Sequence, residues 1–506
     1  MGDVKMKQKG VIALVAAALL VYFLYDPVKD RFFKDTTLYV SEAAGSRPEP
    51  EELIHLGAGL MDLTFSPYGG RIVSVRLKNF RTEDHQPVEL ISGLLKTRAG
   101  IRIEIPTLPA GLDDGLYRYH MEGNGIVFTQ ETPDGLEIRK TYHPASHYGL
   151  DFRVRIKNTG SRTMNFPQGC RIIPFYGIRA EDPDESGHLR TAWMKNPDDR
   201  LISKKTKNIK SPLNSEGPVA WAGIKNRYFT QILAPTDHKY SVIFSPLGEN
   251  QVYASLTTPP FTLEPGRMTE EAYRLFMGPI IEDELSFHQA GLEKIVDYGT
   301  FNFLGKGLLA LLSGIHGYVA NYGLCLMLLA VIVRILLLPL THYNLKSLRE
   351  LPRIIQEIYD IEEEEKDHPE RTEERILPLR KKQVRAMIGS FLPLAVQIPI
   401  FLLLYQVLNA SIELRHAKFI LWIMDLSVRD PFFTLPLIMG LGMILQQRLT
   451  SANPRSDKTW FWMPVGFALC FSFFPAGLVL FWLTDTLLSV VQLSWISLRS
   501  DHVVTI

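Results

Sequence analysis

The chain has 506 residues, of which 46% are hydrophobic, and its formal net charge is +1. A net charge so close to zero gives no reason to expect a nucleic-acid partner. The three cysteines, Cys170, Cys325 and Cys470, lie far apart, and the sequence has no CxxC or HExxH motif, which argues against a disulfide framework and the common zinc sites. Apolar runs crowd the N-terminus and the part after residue 300, so the composition predicts a membrane protein with one large water-soluble domain.

Residues 1–27 start with Lys5, Lys7 and Lys9 and continue as an apolar run. Such a segment is either a cleaved signal peptide or an uncleaved anchor. Bulky residues, and no small-x-small cleavage site, follow the run, which favours an uncleaved signal-anchor helix with a cytoplasmic N-terminus. Residues 28–55 are predicted to form a flexible linker.

Residues 56–285 are predicted to form an all-β sandwich domain. Apolar and charged residues alternate over 150–156, which is the period of a half-buried strand. Val73, Val75 and Leu77 alternate with Ser74, Arg76 and Lys78 in the same way, after the turn Pro67-Tyr68-Gly69-Gly70, and predict another such strand. Many short strands separated by turns favour a sandwich over βαβ units.

One acidic cluster in this domain has three interpretations. It could bind Ca²⁺, supply a glycosidase carboxylate pair, or be a solvated loop, and the lack of a ligand-spaced motif favours the loop. The cluster consists of Glu181, Asp182, Asp184 and Glu185.

The pattern becomes helical after the β domain. Residues 286–321 are predicted to form an amphipathic helix lying in the membrane interface. Residues 322–342 are predicted to form transmembrane helix 2, with a single charge at Arg334. A charge inside a membrane helix costs at least ~2.5 kcal/mol, so Arg334 is a candidate functional residue. The alternative is that its long side chain snorkels to the cytoplasmic interface.

The remaining chain is predicted to contain a cytoplasmic hairpin and four more spans. Residues 343–388 carry far more Lys and Arg than any other short loop between spans, which predicts a cytoplasmic position. Their apolar residues recur at helical spacing on both sides of Asp367, which predicts a helical hairpin. Transmembrane helices 3–6 then occupy 389–498, at about 390–411, 432–448, 459–474 and 476–497, before a short cytoplasmic tail at 499–506.

The predicted fold class is therefore a multi-pass α-helical membrane protein with six spans, five of them in the core, and a large periplasmic β-sandwich domain. The spans contain too many polar residues for helices that face only lipid, so we expect these residues to face one another or water. Arg334 and Asp485 differ in depth by under ~10 Å, which makes an ion pair between them a hypothesis. The polar residues are Arg334, Gln397, Gln446, Gln447, Thr484, Asp485, Ser489 and Gln492.

Several stretches resemble the YidC family of bacterial membrane protein insertases, a branch of the Oxa-type insertases. In the membrane part they are YGLCLMLLAVIVRILLLPLT (322–341), LPLAVQIPIFLLLYQVL (392–408), the stretch 411–447 and FFPAGLVLFW (473–482). In the β domain they are SPYGGRIVSVRLKNF (66–80) and NRYFTQILAP (226–235).

The resemblance implies a hydrophilic groove inside the bilayer, open to the cytoplasm and closed toward the periplasm. Arg334 matches the single intramembrane arginine of the family. Relatives often carry two tyrosines in the final span where Phe481 and Trp482 stand here, so Trp482 joins the predicted groove. Asp485 and Thr486 stand where relatives often have a Ser-Asn pair, and an acid there would partly cancel the positive charge of the groove.

The resemblance also implies the partners. They are nascent membrane protein clients, the Sec translocon, the lipid bilayer and, through the hairpin, the ribosome and signal recognition machinery. We expect no cofactor, no metal and no covalent chemistry, since the sequence has no GxxxxGK[ST] nucleotide motif. Two other classes stay open: a transporter or lipid scramblase using the intramembrane Arg and Asp, and an envelope carbohydrate-binding or hydrolytic protein whose spans are anchors.

Overall fold

A computed structural model describes most of the chain after Glu51. The described residues divide into two compact units, one ending at Asp297 and one starting at Tyr298. The predicted signal anchor, most of the predicted linker, the acidic cluster and the last residues of the predicted tail lie outside the described residues. The described ranges are 52–82, 84–91, 100–106, 115–178, 188–195, 200–237, 240–247, 251–288, 290–296, 298, 302–364, 369–450 and 459–501.

The first unit is built from antiparallel strands, numbered β1 to β20 in chain order. They are Ile54–Ala58, Met61–Ser66, Arg71–Arg81, Pro87–Glu89, Arg102–Glu104, Arg118–Glu122, Gly125–Glu131, Leu136–Pro144, Gly149–Asn158, Met164–Phe166, Arg171–Tyr176, Arg190–Lys195, Arg200–Lys205, Leu213–Asn214, Val219–Lys225, Phe229–Pro235, Ser241–Pro246, Val252–Thr257, Phe261–Leu263 and Met268–Pro279. A short helix α1, Glu282–Ser286, and 3-10 turns at Thr206–Asn208 and Leu292–Ile295 complete this unit.

The strands form one large sheet with smaller sheets packed against it. The large sheet has the order β13-β12-β15-β16-β20-β9-β8-β7-β6, and the smaller ones are β14-β17-β18-β11-β5, β1-β2-β3-β4 and the pair β10-β19. Trp193 of β12 lies 5.3 Å from Phe244 of β17 between ring centroids, and Phe65 of β2 lies 5.7 Å from Phe128 of β7. The aromatic contacts join the sheets face to face, as expected for a sandwich.

The predicted alternation holds in β9 and fails in β3. Leu150 and Phe152 are fully buried in β9. In β3 the pairing with β2 runs Thr64 to Ser74 and then Phe65 to Ile72, so Val73 is an extra residue in a β-bulge. A bulge shifts the side-chain alternation by one residue. The predicted alternation therefore fails at Val73, and Ile72 takes the buried position.

The turn before β3 is held by two side chains of β8. Buried Lys140 donates from Nζ to the Gly69 carbonyl at 2.7 Å, and the hydroxyl of Tyr142 donates to the Gly70 carbonyl at 2.8 Å. Gly70 has φ +54°, and an added Cβ would lie 2.8 Å from Cβ of Phe128. Glycine is therefore required at this position both by backbone conformation and by space.

His288, just after α1, predicts an acid sensitivity of the β unit. Its ring is buried, donates from Nε2 to the His147 carbonyl at 2.8 Å and packs on Phe276 at 5.3 Å. Burial, the largest cause, lowers the pKa of His288 from its ordinary 6.5, although the hydrogen bond to His147 opposes this. Below pH 6.5 the unfolded chain therefore binds a proton that the folded chain resists, and stability falls as pH falls.

We expect the free energy of unfolding to decrease below pH 6.5 by up to about 1.4 kcal/mol per pH unit from this residue. Hydrogen–deuterium exchange of β20 peptides in the full chain, at pH 7.5 and pH 5.5, measures the loss. The variant His288→Gln keeps a donor and should have a flatter pH profile. An unchanged profile in that variant would assign the sensitivity to other groups.

The second unit is helical in its described residues. Its helices are α2 (Asn302–His316), α3 (Tyr322–Leu336), α4 (Leu338–Glu364), α5 (Pro369–Ala410), α6 (Thr434–Thr450), α7 (Thr459–Phe471) and α8 (Ala476–Asp501), with a 3-10 turn at Ile412–Leu414. Within the described part, Ala476–Trp495 is the one segment long and apolar enough to cross a membrane by itself. Shorter apolar helices are Tyr322–Leu336, Ala395–Ala410 and Trp462–Phe471.

The predicted boundaries of the amphipathic helix and of the first core span are corrected. The helix predicted over 286–321 is the shorter α2, since residues up to 296 belong to the β unit. The span predicted over 322–342 breaks at Leu337, which has φ −89° and ψ 0°. Pro339 causes this break because it has no N–H to donate to the preceding turn. The residues after the break begin α4.

The predicted boundary between the hairpin and the third span is also corrected. The second arm of the hairpin and the span form one continuous helix, α5. The stretch 385–389 contains one glycine and no proline, and a glycine alone costs a helix only about 1 kcal/mol. The hairpin has its own small core, in which Leu379 is buried, whereas Leu377 is 53% exposed.

Candidate polar groove in the helical unit

The loop 411–433 contacts or adjoins α3, α5, α6 and α8 at one end of the helical bundle. The side chain of Asn321 caps α3 by accepting from the Leu324 N–H at 3.1 Å, and its amide donates to the Phe419 carbonyl at 3.2 Å. The Gly477 N–H at the start of α8 donates to the Leu426 carbonyl at 2.9 Å. The end of α5 and the start of α6 flank the same loop in the chain. The starts of α3, α6 and α8 and the end of α5 therefore lie at one level.

Asp430 holds this loop together. It is 2% exposed, and its carboxylate accepts from Trp422 Nε1 at 3.0 Å, from the Phe432 N–H at 3.1 Å and from the Leu435 N–H at 2.7 Å. The bond to Leu435 satisfies one of the N–H groups left open at the start of α6. Asp430 was not among the predicted site residues, although an Asp-Pro pair before an apolar helical run is a recognisable helix-start signal.

Distances along the helices place the predicted polar residues in one layer. At a rise of about 1.5 Å per residue, Arg334 lies about 18 Å along α3 from the loop end, and Asp485 and Gln492 lie about 14 Å and about 24 Å along α8. By the same measure Gln397 lies about 20 Å along α5, and Gln446 and Gln447 about 18 Å and about 20 Å along α6. An added Cβ on Gly442 of α6 would lie 3.1 Å from Thr486 of α8, which supports this alignment.

Arg334 is the centre of this polar layer. Its Nη1 lies 3.4 Å from Asp485 Oδ1, and its Nη2 donates to Gln492 Oε1 at 2.9 Å. The two charged side chains are 18% and 21% exposed. The predicted ion pair is present, and Arg334 points into the bundle toward α8, which opposes the snorkelling alternative. The Nε of Arg334 is buried and has no hydrogen-bond partner within the described residues.

Asp485 and Gln492 reach Arg334 from the same face of α8. They are separated by seven residues, which is close to two helical turns, so their side chains point the same way. The spacing lets one guanidinium contact a carboxylate and an amide at once. Two donors of the guanidinium are thereby directed to α8, while the third nitrogen is left for another acceptor.

Trp482 was predicted to line the groove, but it packs in an aromatic layer nearer the loop. Its ring centroid lies 5.6 Å from that of Phe401 and 5.1 Å from that of Phe471, and Phe474 lies 5.4 Å from Phe401. These rings come from α5, α7, α8 and the turn before α8. By the same measure along the helices, Trp482 lies about 9 Å from the loop end, nearer the loop 411–433 than Arg334. The three phenylalanines were not predicted from the sequence, because aromatic residues in an apolar span give no separate signal.

Thr484 and Ser489 were also predicted to line the groove, but their hydroxyls bond within α8. Thr484 Oγ1 donates to the Leu480 carbonyl and Ser489 Oγ to the Asp485 carbonyl, both at 2.8 Å. Both side chains are buried. Such bonds to the carbonyl four residues earlier satisfy a hydroxyl without any partner on another helix.

The three glutamines on α5 and α6 are half-buried at the level of Arg334. Within the described residues, Nε2 of Gln397 is buried without a hydrogen-bond partner. A buried amide without a partner costs free energy, so a polar group or water at this position would stabilise it. The structure therefore brings Arg334, Asp485 and Gln492 into contact and places Gln397, Gln446 and Gln447 at the same level.

The described residues contain no group of three or more His, Cys, Asp or Glu side chains able to hold a metal ion. The side chains of the polar layer can form hydrogen bonds and charge pairs with a polar ligand.

Comparison with known proteins gives the class of this chain. A family described as "60Kd inner membrane protein" matches residues 314–502, and "YidC periplasmic domain" matches residues 53–311. Together these matches cover both units, so the chain is an inner-membrane protein with a periplasmic β domain.

Individual relatives agree with this class. The membrane protein insertase YidC of Geotalea daltonii is 32% identical over 381 residues, 74% of this chain and 71% of the relative. That of Geobacter sulfurreducens is 30% identical, covering 86% and 84%, and that of Syntrophus aciditrophicus is 29% identical, covering 97% and 99%. The chain belongs to the YidC family of membrane protein insertases. A crystal structure of an active YidC insertase is similar over 96% of this chain and 98% of that one, at 17% identity and a TM-score of 0.38, which is too low to support an inference.

Proposed function

We propose that this protein inserts client transmembrane segments into the bacterial inner membrane and helps them fold, through a groove around Arg334 that opens to the cytoplasm. The observation that carries the proposal is a partly exposed Arg334–Asp485–Gln492 cluster within an apolar helical bundle. Its position fits such a groove, because the aromatic layer and the loop 411–433 lie on one side of it.

The periplasmic β domain supports one orientation of the helical unit. The domain precedes α3, whose first residue lies at the level of the loop 411–433. In the proposed topology that loop is periplasmic, and the hairpin of α4 and α5 is cytoplasmic, in agreement with its many Lys and Arg residues. The groove is then closed toward the periplasm by the aromatic rings and open toward the hairpin.

The polar layer lowers the cost of moving a polar client segment. A single charged residue at the centre of a bilayer costs about 2.5–3.5 kcal/mol on insertion scales. Hydrogen-bonding side chains and water in the groove replace part of the lost hydration, while the apolar segment of the client moves into lipid. The short apolar helices, such as Tyr322–Leu336, favour a locally thinned bilayer, which shortens the path of the polar segment. The process needs no covalent chemistry or cofactor.

The remaining parts complete the proposed arrangement. Residues 1–27 anchor the chain as the first of six spans, with both termini cytoplasmic. Helix α2 lies in the membrane interface, which is supported by outward-facing apolar side chains such as Phe303, 86% exposed, and Leu304, 53% exposed. The hairpin receives clients from the ribosome and signal recognition machinery, and the protein works alone or beside the Sec translocon.

Depletion of the protein in its own host tests the proposal. We expect depletion to leave a small single-spanning client with a short translocated tail uninserted, and plasmid-borne wild-type protein to restore it. Protection of the tail from external protease measures insertion. Unchanged insertion on depletion would contradict the proposal. Membership of the insertase family favours this function over the transporter or scramblase alternative, which predicts altered solute or lipid flux with normal client insertion.

A further inference from the structure

The contact between Arg334 and Asp485 has the geometry of a weak, exchangeable ion pair. Strong arginine–carboxylate pairs place two N–H groups on two oxygens at about 2.7–2.9 Å. Here the contact is to one carboxylate oxygen at 3.4 Å. The shorter bond of the guanidinium goes to the neutral amide of Gln492, at 2.9 Å. Of the two contacts that orient Arg334, the shorter is therefore the one to Gln492.

Arg334 can also donate to a further hydrogen-bond acceptor. Its Nε has no hydrogen-bond partner within the described residues. The Nε–H and the N–H groups of Nη1 are donors, and each can bind a carboxylate oxygen. Loss of Asp485 from Nη1 would add to the donors already available, so a second carboxylate could replace it.

Asp485 also removes the net charge of the layer. Arg334 and Asp485 together are neutral, and both are only partly exposed, so their field on a third charge is largely cancelled. The other named members of the layer, Gln492, Gln397, Gln446 and Gln447, are uncharged. A groove with the arginine alone would attract an acidic client residue, whereas this groove attracts it only after Asp485 has been displaced.

We propose, on the basis of the proposed insertase function, that Asp485 is a resident competitor for Arg334 that lowers the preference of this groove for acidic clients. An acidic residue in the polar segment of a client binds Arg334 in exchange for Asp485, while Gln492 keeps the guanidinium in place. Asp485 is thus a specificity-determining residue. Clients with neutral polar segments are inserted with little disadvantage relative to clients with acidic segments.

The test compares clients that differ only in the charge of their translocated tail. One single-spanning client carries two Asp, two Asn or two Lys at the same tail positions. Each is expressed during depletion with wild-type protein, Asp485→Asn or Asp485→Glu. The measured quantity is the ratio of inserted acidic client to inserted neutral client. We expect Asp485→Asn to raise this ratio about fivefold, the lower end of typical coupling effects, and Asp485→Glu to keep it near wild type.

Matched variants separate the interpretations. Asp360→Asn removes an exposed carboxylate on the hairpin, where Asp360 accepts from Gln356 at 2.8 Å, and should leave the ratio unchanged. Asp485→Ser is a second neutral variant, with the same expected rise, in case Asp485→Asn does not accumulate. An unchanged ratio in an accumulating neutral variant, or an equal rise with Asp360→Asn, would overturn the proposal. If the neutral client inserts equally well with and without the protein, the proposed insertase function is itself contradicted.

Discussion

Changing Arg334 to glutamate is expected to abolish client insertion almost completely. The change places a second carboxylate near Asp485. The side chains of Arg334 and Asp485 at this site are only 18% and 21% exposed. Breaking a buried ion pair typically costs 3–5 kcal/mol, and the partial exposure here reduces our expectation to about 2 kcal/mol. Insertion in the depletion strain should fall by at least about tenfold, because the remaining acids repel acidic clients as well as each other.

The charge swap is the control for this prediction. Arg334→Asp combined with Asp485→Arg restores one cation and one anion at the same depth and should recover a substantial part of both protein level and insertion. Arg334→Asp and Asp485→Arg alone should each be defective. Immunoblotting of membranes measures the level, and protease protection of the client measures insertion. Defects in both single variants without rescue in the double variant would contradict the role of the pair.

Changing Asp430 to alanine is expected to be the most destabilising single change in the loop 411–433. It removes the acceptor of three buried or half-buried N–H groups, from Trp422, Phe432 and Leu435. A buried donor left without a partner costs about 1–3 kcal/mol, and loss of a helix cap adds about 1 kcal/mol, so we expect a loss of about 3 kcal/mol. Thermal unfolding of the purified full chain in detergent measures the effect.

Two variants bracket this result. Asp430→Asn keeps one carbonyl oxygen for Trp422 and Phe432 and should lose about 1 kcal/mol. Asp360→Ala removes an exposed aspartate from the hairpin and should change stability by less than about 0.5 kcal/mol. Equal stability of Asp430→Ala and Asp360→Ala would show that the loop is not held by this carboxylate.

The polar layer could be predicted from the sequence because its members interrupt apolar helices. Arg334, Asp485 and Gln492 stand out as polar residues at membrane depth, and the cost of burying them requires that they meet one another. Trp482, Thr484 and Ser489 were assigned to the same groove on weaker grounds. Aromatic side chains can pack against one another, and hydroxyl groups can donate to a carbonyl of their own helix. Their presence therefore does not show which face of a helix lines a groove.

The β domain could be predicted where alternation is regular, as in β9. It could not be predicted at Val73, because a bulge changes the register without changing the pattern of residue types. The helix ends were least predictable. The break at Leu337 depends on a proline inside an apolar run, and the continuity of α5 depends on the absence of a strong breaker between the hairpin and the span. Asp430 was missed because its importance comes from donors that the loop brings together.

The central claim is that the polar segment of a client enters the layer around Arg334 on the inner face of α8. Photo-crosslinking from two adjacent residues of α8 tests it most directly, because Gln492 contacts Arg334 whereas Val491 is 67% exposed. A photoreactive residue is placed at each position in turn, and a translation-arrested client carries separate tags on its polar tail and its apolar segment. We predict crosslinks to the polar tail from position 492 and to the apolar segment from position 491. Crosslinks to the tail from position 491 with none from position 492 would contradict the proposed groove.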